Sequence, residues 1–344
     1  MEQMVGYGKN YNIEVARILA CMGVVGLHGI GMSDYTLYYF CSFSVPMFFI
    51  INGYLMFSKE KVDYSYSLKK ISAYARLIVC WNLIIMIPVM VLKHKFVNPI
   101  EEILKSLVQK GYLWHFWYFG AMIVTLLLLP AVHGLLRNRR RLHIVMVGIL
   151  FLICLGVTYK SWHDEYPNQA FVPQTFRIWV FGFYFLVGAL FGACDKGQKS
   201  DKDHEGSIEG KKPLSFKVIV LAAAFLILTY VSNMGQKHLG NYVYHNRIAD
   251  NFYDEGTVML WCVAFFAMLL SIKVVIPYKV LDLAGRLTLG IFIIHPLVLK
   301  ALETFIRQDM TYGALLRWAL AILVSGAATW VLLKIPYIKK LVEL

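Results

Sequence analysis

The chain has 344 residues, 58% of them hydrophobic, and its mean hydropathy of +0.58 is too high for a soluble domain. The formal net charge of +13 would suit a nucleic-acid-binding protein. However, the basic residues lie in short segments between long apolar runs, which is the pattern of membrane topology signals. We therefore expect an all-α, polytopic membrane protein that contacts lipids and has no nucleic-acid partner.

Ten apolar runs are long enough to cross a bilayer as helices. They cover residues 13–32, 36–58, 69–92, 114–136, 142–159, 175–194, 214–233, 254–273, 285–304 and 314–334. An even number of spans places both termini on one side, and Lys and Arg concentrate there, in segments 59–70, 137–141 and 196–212. This bias predicts an N-in, C-in orientation. The residues before Ile13 are polar, so we expect no cleavable signal peptide.

The connections between the spans differ in character. Residues 195–213 are highly charged, which predicts a mobile cytoplasmic linker within a single domain of residues 1–344. Residues 93–113 predict a short amphipathic helix at the membrane surface. Residues 160–174 and 234–253 combine aromatic, amide and histidine side chains, a mixture that suits sugar binding and is equally typical of an interfacial aromatic belt.

The first span contains one arginine, Arg17, and one histidine, His28, eleven residues apart. At about 100° per residue the two side chains lie on one face of a helix, roughly 16 Å apart along its axis. Glu14 precedes Arg17 by one turn and can pair with it. Ionisable residues inside a membrane span are functional candidates by default. Alternatively, Arg17 extends to the lipid head groups and His28 is a hydrogen-bonded interior residue.

Three cations, Lys69, Lys70 and Arg76, lie at the start of the third span. Together they could hold the phosphates of a cytosolic cofactor, since cations make charge-assisted hydrogen bonds to phosphate. The positive-inside bias explains the two lysines equally well. It explains Arg76 less well.

The second and fourth spans each carry polar residues among aromatic ones. Pro46 and the pair Asn52-Gly53 predict a break in the second helix, which protein or a cavity has to cover. The fourth span opens with a cluster that includes His115 and Trp117. An aromatic belt at the membrane interface accounts for Trp117, so His115 is the better candidate of the two.

The ninth span carries Arg286 near its cytoplasmic end and His295 further along, an arrangement similar to that of Arg17 and His28. The six cysteines lie in apolar runs without CxxC spacing, so we expect no metal site. The sequence contains no GxSxG, Walker A, HExxH or dinucleotide-binding fingerprint. Chemistry that depends on those motifs is therefore excluded.

Four motifs occur in an order that is typical of one family of membrane enzymes. They are Glu14-Val-Ala-Arg17 with His28, PMFFIINGYL (46–55), HFWYF (115–119) and TLGIFIIHPL (288–297). Over essentially its whole length the chain resembles the acyltransferase-3 family, the integral-membrane O-acyltransferases of bacterial surface carbohydrates. It most resembles the stand-alone members that modify enterobacterial common antigen and O-antigens.

The resemblance implies a role for several individual residues. The implied catalytic residues are His28, Arg17 and Glu14, the donor-binding residues are Arg76, Lys69, Lys70 and Arg17, and the substrate or oxyanion candidates are Asn52, His115, Trp117 and His295. Glu14 stands where the family usually has Asp, and Asn52 stands where Ser is common. The basic cluster departs from the family's usual Arg-rich form. No metal is implied.

The resemblance further implies transfer of an acetyl group from cytosolic acetyl-CoA to a hydroxyl of a saccharide or glycolipid. The expected location is the bacterial inner membrane, and a homo-oligomer is among the expected assemblies. His28 would act as a general base or carry the acyl group, and both roles stay open. One alternative is a transporter of a small polar solute or of acylated glycans, with Arg17, Arg76 and His28 lining its pathway. A purely structural membrane partner is another.

Overall fold

The computed structural model describes residues 10–31, 34–94, 96–202, 216–272, 274–306 and 311–343. Every regular element in these ranges is helical, as the sequence predicts. The α-helices are α1 (Tyr11–Gly29), α2 (Tyr35–Phe40), α3 (Ser44–Phe57), α4 (Tyr64–Lys93), α5 (Pro99–Leu107), α6 (Trp117–Leu136), α7 (Arg140–His163), α8 (Ile178–Lys202), α9 (Phe216–His238), α10 (Gly256–Ser271), α11 (Tyr278–Leu302) and α12 (Thr311–Leu333). Short 3₁₀ turns precede α3 (Cys41–Phe43) and α6 (Trp114–Phe116).

By length and composition, 7 helical segments of the described chain could cross a membrane. They are Tyr35–Phe57, Tyr64–Leu92, Trp114–Leu136, Arg140–His163, Phe216–Val243, Tyr278–Leu302 and Tyr312–Leu333. Two further apolar helices, Ile178–Ala193 and Gly256–Ser271, are shorter. The chain is thus a multi-pass membrane protein. The predicted total of ten spans and the N-in, C-in orientation stay predictions.

Helix α1 lies at the centre of the bundle, packed against α3, α10, α11 and α12. Three residues of α1 that are spaced seven apart contact α11: Glu14 lies against Gly285, the Cys21 thiol donates to the Thr288 carbonyl, and His28 contacts His295. The residue numbers rise together along both helices, so α1 and α11 run parallel. A seven-residue repeat is the spacing at which one face of a helix keeps meeting its neighbour. The polar residues of α1 therefore face protein rather than lipid.

Helices α3 and α8 approach each other closely through glycines. A Cβ added to Gly53 would lie 1.9 Å from the Phe185 carbonyl oxygen, and one added to Gly188 would lie 1.9 Å from the Ile50 carbonyl oxygen. Small residues allow this approach between membrane helices. The predicted second span is interrupted by the 3₁₀ turn Cys41–Phe43, just ahead of Pro46, whereas the break predicted at Asn52-Gly53 is wrong, since α3 is continuous there. Pro46 lies in the first turn of α3, where a proline removes no intrahelical hydrogen bond.

Two ends of the molecule can be distinguished. The basic end comprises the start of α1, connections 58–63 and 137–139, and segment 338–343. The loop end comprises segments 96–113, 164–177 and 244–255. At the basic end the Arg137 Nη1 donates to the Lys59 carbonyl (2.7 Å). The site described below extends from the basic end toward the loop end.

Two predictions concern the connections. The amphipathic helix expected in 93–113 is α5, capped by Asn98, whose side chain accepts from the Ile100 and Glu101 amides. Ile100 is 70% and Leu104 59% exposed on its free side. Helix α8 continues to Lys202, so the first part of the predicted linker 195–213 is helical. Residues 203–213 lie outside the described residues.

Candidate active site

The parallel packing of α1 and α11 brings two predicted residues together. His28 Nδ1 lies 2.7 Å from His295 Nε2, and the two rings are nearly parallel, with an interplanar angle of 7°. His295 is fully buried, whereas His28 is half-buried. Near this pair, a Cβ added to Gly29 would lie 3.3 Å from the Trp318 backbone. The glycine therefore lets α12 pack closely against α1 beside the two histidines. Both histidines are candidates by sequence, but no pattern in the sequence predicts their contact.

The 3₁₀ turn before α6 adds two further rings. The Trp114 ring stands edge-on to His28, with centroids 4.8 Å apart. His115 is 1% exposed, and its ring centroid lies 5.9 Å from that of His295. Among the described residues, the ring nitrogens of His115 make no well-formed hydrogen bond, although the Ile293 backbone lies close enough to interact with the ring. A buried polar group left in this way is often part of a functional site.

Trp117, the predicted tryptophan, is placed differently from Trp114. Its ring stacks on Phe181 of α8, with centroids 5.4 Å apart, and its backbone carbonyl accepts from the Thr175 hydroxyl. The structure records no ring contact between Trp117 and the two paired histidines. Sequence reasoning missed Trp114 because adjacent aromatic residues in one motif look alike until the turn fixes which of them faces α1.

A cleft of about 330 Å³ opens at the basic end, between α1, α3, α4, α6, α11 and the C-terminal segment. Its lining combines three cations, two carboxylates and several aromatic rings. The cations are Arg17, Lys70 and Arg286. Phe292 lines the cleft and also packs edge-on against His115, with centroids 5.5 Å apart. The inner part of the cleft therefore borders the histidines.

The three cations of the cleft differ in their partners. Arg17 pairs with Glu14 (3.1 Å) and keeps 30% of its side chain exposed. Gly285 makes room for this carboxylate, since an added Cβ would lie 2.2 Å from Glu14 Oε2. Arg286 pairs with Glu343 (3.5 Å). No described carboxylate lies within ion-pair distance of Lys70, which leaves this cation available to an anionic ligand.

The predicted donor-binding residues are only partly brought together. Arg17 and Lys70 line the cleft, whereas the side chains of Lys69 and Arg76 are exposed and do not line it. Arg286 was recognised in the sequence but not assigned to the donor. The only sequence signal for it was its position before the motif that contains His295.

Asn52 lines the cleft with its side-chain amide already engaged. Its Nδ2 donates to the Phe48 carbonyl (2.8 Å) and to the Tyr118 hydroxyl (3.0 Å). An amide group has two N–H donors, so neither is left for a developing oxyanion. The Tyr118 hydroxyl also lines the cleft, and because it accepts from Asn52, its own proton points elsewhere.

The loop end contains a second buried polar cluster around Arg177 and Asp250. Arg177 donates to the Val172 carbonyl (2.9 Å) and to the Asp250 carbonyl (2.8 Å). The Asp250 carboxylate accepts from the Tyr253 hydroxyl (3.1 Å) and from the Gln174 amide. Burial raises the pKa of Asp250 in spite of Arg177. Several residues of the loops predicted to bind sugar are thus occupied with each other.

Asp254 lies next to this cluster, just before α10. It is 2% exposed, and burial raises the pKa of its carboxyl to about 7. Its backbone carbonyl accepts from the Thr158 hydroxyl (2.9 Å). The carboxyl group therefore changes charge close to neutral pH.

The described helices define a polytopic membrane protein in which half-buried His28 contacts fully buried His295 beside a cation-lined cleft. A family model described as an acyltransferase domain (Acyl_transf_3) matches residues 10–334, nearly the whole chain. The chain belongs to the acyltransferase-3 family and is a membrane acyltransferase. No curated protein and no solved structure matches it. Among the described residues, no group of three or more His, Cys, Asp or Glu side chains is arranged to hold a metal ion.

Proposed function

We propose that this acyltransferase moves an acetyl or other short acyl group from acyl-CoA to a hydroxyl of a cell-surface or lipid-linked saccharide. The observation that carries the proposal is the position of His28, held by His295 beside a cleft that has cations at its mouth. Enterobacterial common antigen and O-antigen saccharides exemplify the acceptor class. The proposed setting is the bacterial inner membrane, with the basic end in the cytoplasm.

The cleft is suited to an anionic donor. Lys70 has no described carboxylate partner, whereas Arg17 pairs with Glu14 and Arg286 pairs with Glu343. Phosphate groups can bind these cations by charge-assisted hydrogen bonds. The aromatic rings deeper in the cleft suit a thin, largely uncharged pantetheine arm. A donor that enters at the basic end would bring its thioester toward Phe292 and the histidines.

His28 is the proposed catalytic group. As a general base it would take the proton of the acceptor hydroxyl while the oxygen attacks the thioester carbonyl. As a nucleophile it would first accept the acyl group and then pass it to the hydroxyl. In either route the negative charge that develops on the carbonyl oxygen needs a hydrogen-bond donor, and we assign this role to the Tyr118 hydroxyl rather than to Asn52.

The proposal is tested by measuring CoA release and acyl transfer with purified protein, acyl-CoA and candidate glycolipids. His28→Ala should lower transfer by at least about 100-fold, the range lost with a general acid–base group. His163→Ala is the matched control, because His163 is 76% exposed at the loop end and should leave the rate unchanged. Undiminished transfer in His28→Ala would end the proposal. Solute uptake into vesicles without acyl transfer would favour the transporter instead.

A further inference from the structure

The contact between His28 and His295 fixes more than their distance. Two ring nitrogens at 2.7 Å share one hydrogen, so one of them donates and the other accepts. A neutral imidazole carries its proton on only one nitrogen. Which nitrogen of His28 is available for chemistry therefore depends on which partner donates.

The other nitrogen of His295 decides this. His295 Nδ1 lies 3.0 Å from the Ile291 carbonyl oxygen, one turn earlier in α11. A carbonyl oxygen can only accept, so Nδ1 carries the hydrogen and donates it. Neutral His295 then has a lone pair, and no proton, on Nε2.

His295 is neutral for a structural reason. It is 0% exposed, and no described carboxylate lies within ion-pair distance of it. A buried, unpaired imidazolium is strongly disfavoured by its loss of solvation. Among the described residues, the other titratable groups that face it are His28 and His115, and protonation of either would disfavour a second positive charge here.

We infer that His295 is a positioning residue that holds His28 in the tautomer with a proton on Nδ1, so that Nε2 presents its lone pair. The hydrogen bonds run from His28 Nδ1–H to His295 Nε2, and from His295 Nδ1–H to the Ile291 carbonyl. If His28 Nδ1 lost this hydrogen, the buried His295 Nε2 would have no hydrogen-bond donor. His295 thus does for His28 what a carboxylate does for histidine in hydrolase triads.

The consequence for the reaction rests on the proposed function. The acceptor O–H gives its proton to His28 Nε2 as its oxygen bonds to the acyl carbon. The C–S bond then breaks, and the thiolate of CoA takes the proton from Nε2, which restores neutral His28. If His28 is a nucleophile, the same nitrogen carries the acyl group. In both routes the His28 Nδ1 keeps its hydrogen and goes on donating it to His295 Nε2.

Histidine ¹⁵N chemical shifts of labelled protein in nanodiscs test the tautomer without any need for activity. In the wild type, His28 Nε2 should give a pyridine-type shift and Nδ1 a pyrrole-type shift. His28→Gln identifies the His28 signals. A pyrrole-type Nε2 on His28 in the wild type would overturn the inference, even if the protein proves to be an acyltransferase.

Activity separates positioning from packing. His295→Gln keeps an acceptor oxygen and should retain kcat within about tenfold, whereas His295→Leu removes the acceptor and should lower kcat on the order of 100-fold with an unchanged KM for acyl-CoA. His143→Gln is the matched control, a buried histidine bonded to the Leu186 carbonyl away from the cleft. Equal kcat in His295→Leu and wild type would overturn the inference. If His295→Leu does not fold, the test uses kcat and the His28 ¹⁵N shifts of His295→Gln. Loss of the wild-type His28 tautomer in His295→Gln, or a fall in kcat of more than about tenfold, would then also overturn the inference.

Discussion

Arg177 at the loop end and Lys70 at the basic end are both enclosed by helices, but their surroundings differ. Arg177 is 5% exposed, donates to two backbone carbonyls, and faces the Asp250 carboxylate, which itself accepts from Tyr253 and Gln174. Lys70 is half-buried beside a cleft of about 330 Å³ and has no described carboxylate within ion-pair distance.

The difference separates a structural charge from a binding charge. A buried cation that donates to loop carbonyls and lies near a buried carboxylate holds loops together and has little capacity left for a ligand. A cation that lines a cavity without a partner contributes little to folding and can bind an anion strongly. The comparison predicts that mutations in the two regions affect different measurements.

Arg177→Met should have the largest effect. It removes two hydrogen bonds from a buried guanidinium to the Val172 and Asp250 backbone carbonyls, each worth about 1.5–3 kcal/mol of unfolding free energy, and takes away the cation near the Asp250 carboxylate. Thermal unfolding in detergent should show a midpoint far below that of the wild type. Arg247→Met is the control, since Arg247 bonds the Tyr35 hydroxyl at an exposed position. An Arg177→Met thermal unfolding midpoint equal to that of the wild type would show that this cluster does not stabilise the fold.

The pH dependence of stability should come next in size. Burial raises the pKa of the Asp254 carboxyl from its ordinary value of 3.8 to about 7, so the folded state binds its proton more tightly than the unfolded state. The stabilisation is complete below pH 4 and is lost as the pH rises through about 7. Between pH 5 and pH 8 this amounts to roughly 2–3 kcal/mol.

Asp254→Asn should remove this dependence when unfolding is followed from pH 5 to pH 8. Asp164→Asn is the control, because hydrogen bonding to Lys160 lowers the pKa of this exposed carboxyl to about 2, well below the range. If wild type and Asp254→Asn lose stability in parallel over that range, Asp254 is not the group responsible.

Lys70→Met should have the smallest effect on stability and a clear effect on the donor. Loss of one charge-assisted hydrogen bond should raise the dissociation constant for acyl-CoA about tenfold, measured by calorimetry. The unfolding midpoint without ligand should stay close to that of the wild type. Lys69→Met and Arg76→Met are matched controls, since both side chains lie outside the cleft. Equal weakening by all three would mean that general positive charge, rather than the cleft, attracts the donor.

The membrane class and most of the helices could be predicted from the sequence because long apolar runs are a local property. The shared face of Arg17 and His28 could also be predicted, since it follows from the helical repeat alone. The assignment of Lys69 and Arg76 to the donor site is different. Neighbouring residues on a helix point in different directions, and only the packing of α4 shows that Lys70 faces the cleft.

The predicted break at Asn52-Gly53 failed for a related reason. Glycine and asparagine are locally unfavourable in a helix, but here Gly53 allows α8 to lie against α3, and Asn52 bonds Tyr118 of α6. Tertiary contacts therefore outweigh local preference at both positions.

Composition and short spacing were enough to predict the helical membrane architecture, the family motifs and the candidate histidines. The contact of His28 with His295, 267 residues away in the chain, follows only from how the helices pack. Contact between distant segments depends on how parallel helices align their repeats, and no local pattern encodes that register. The tautomer of His28 follows from this contact and from the Ile291 carbonyl.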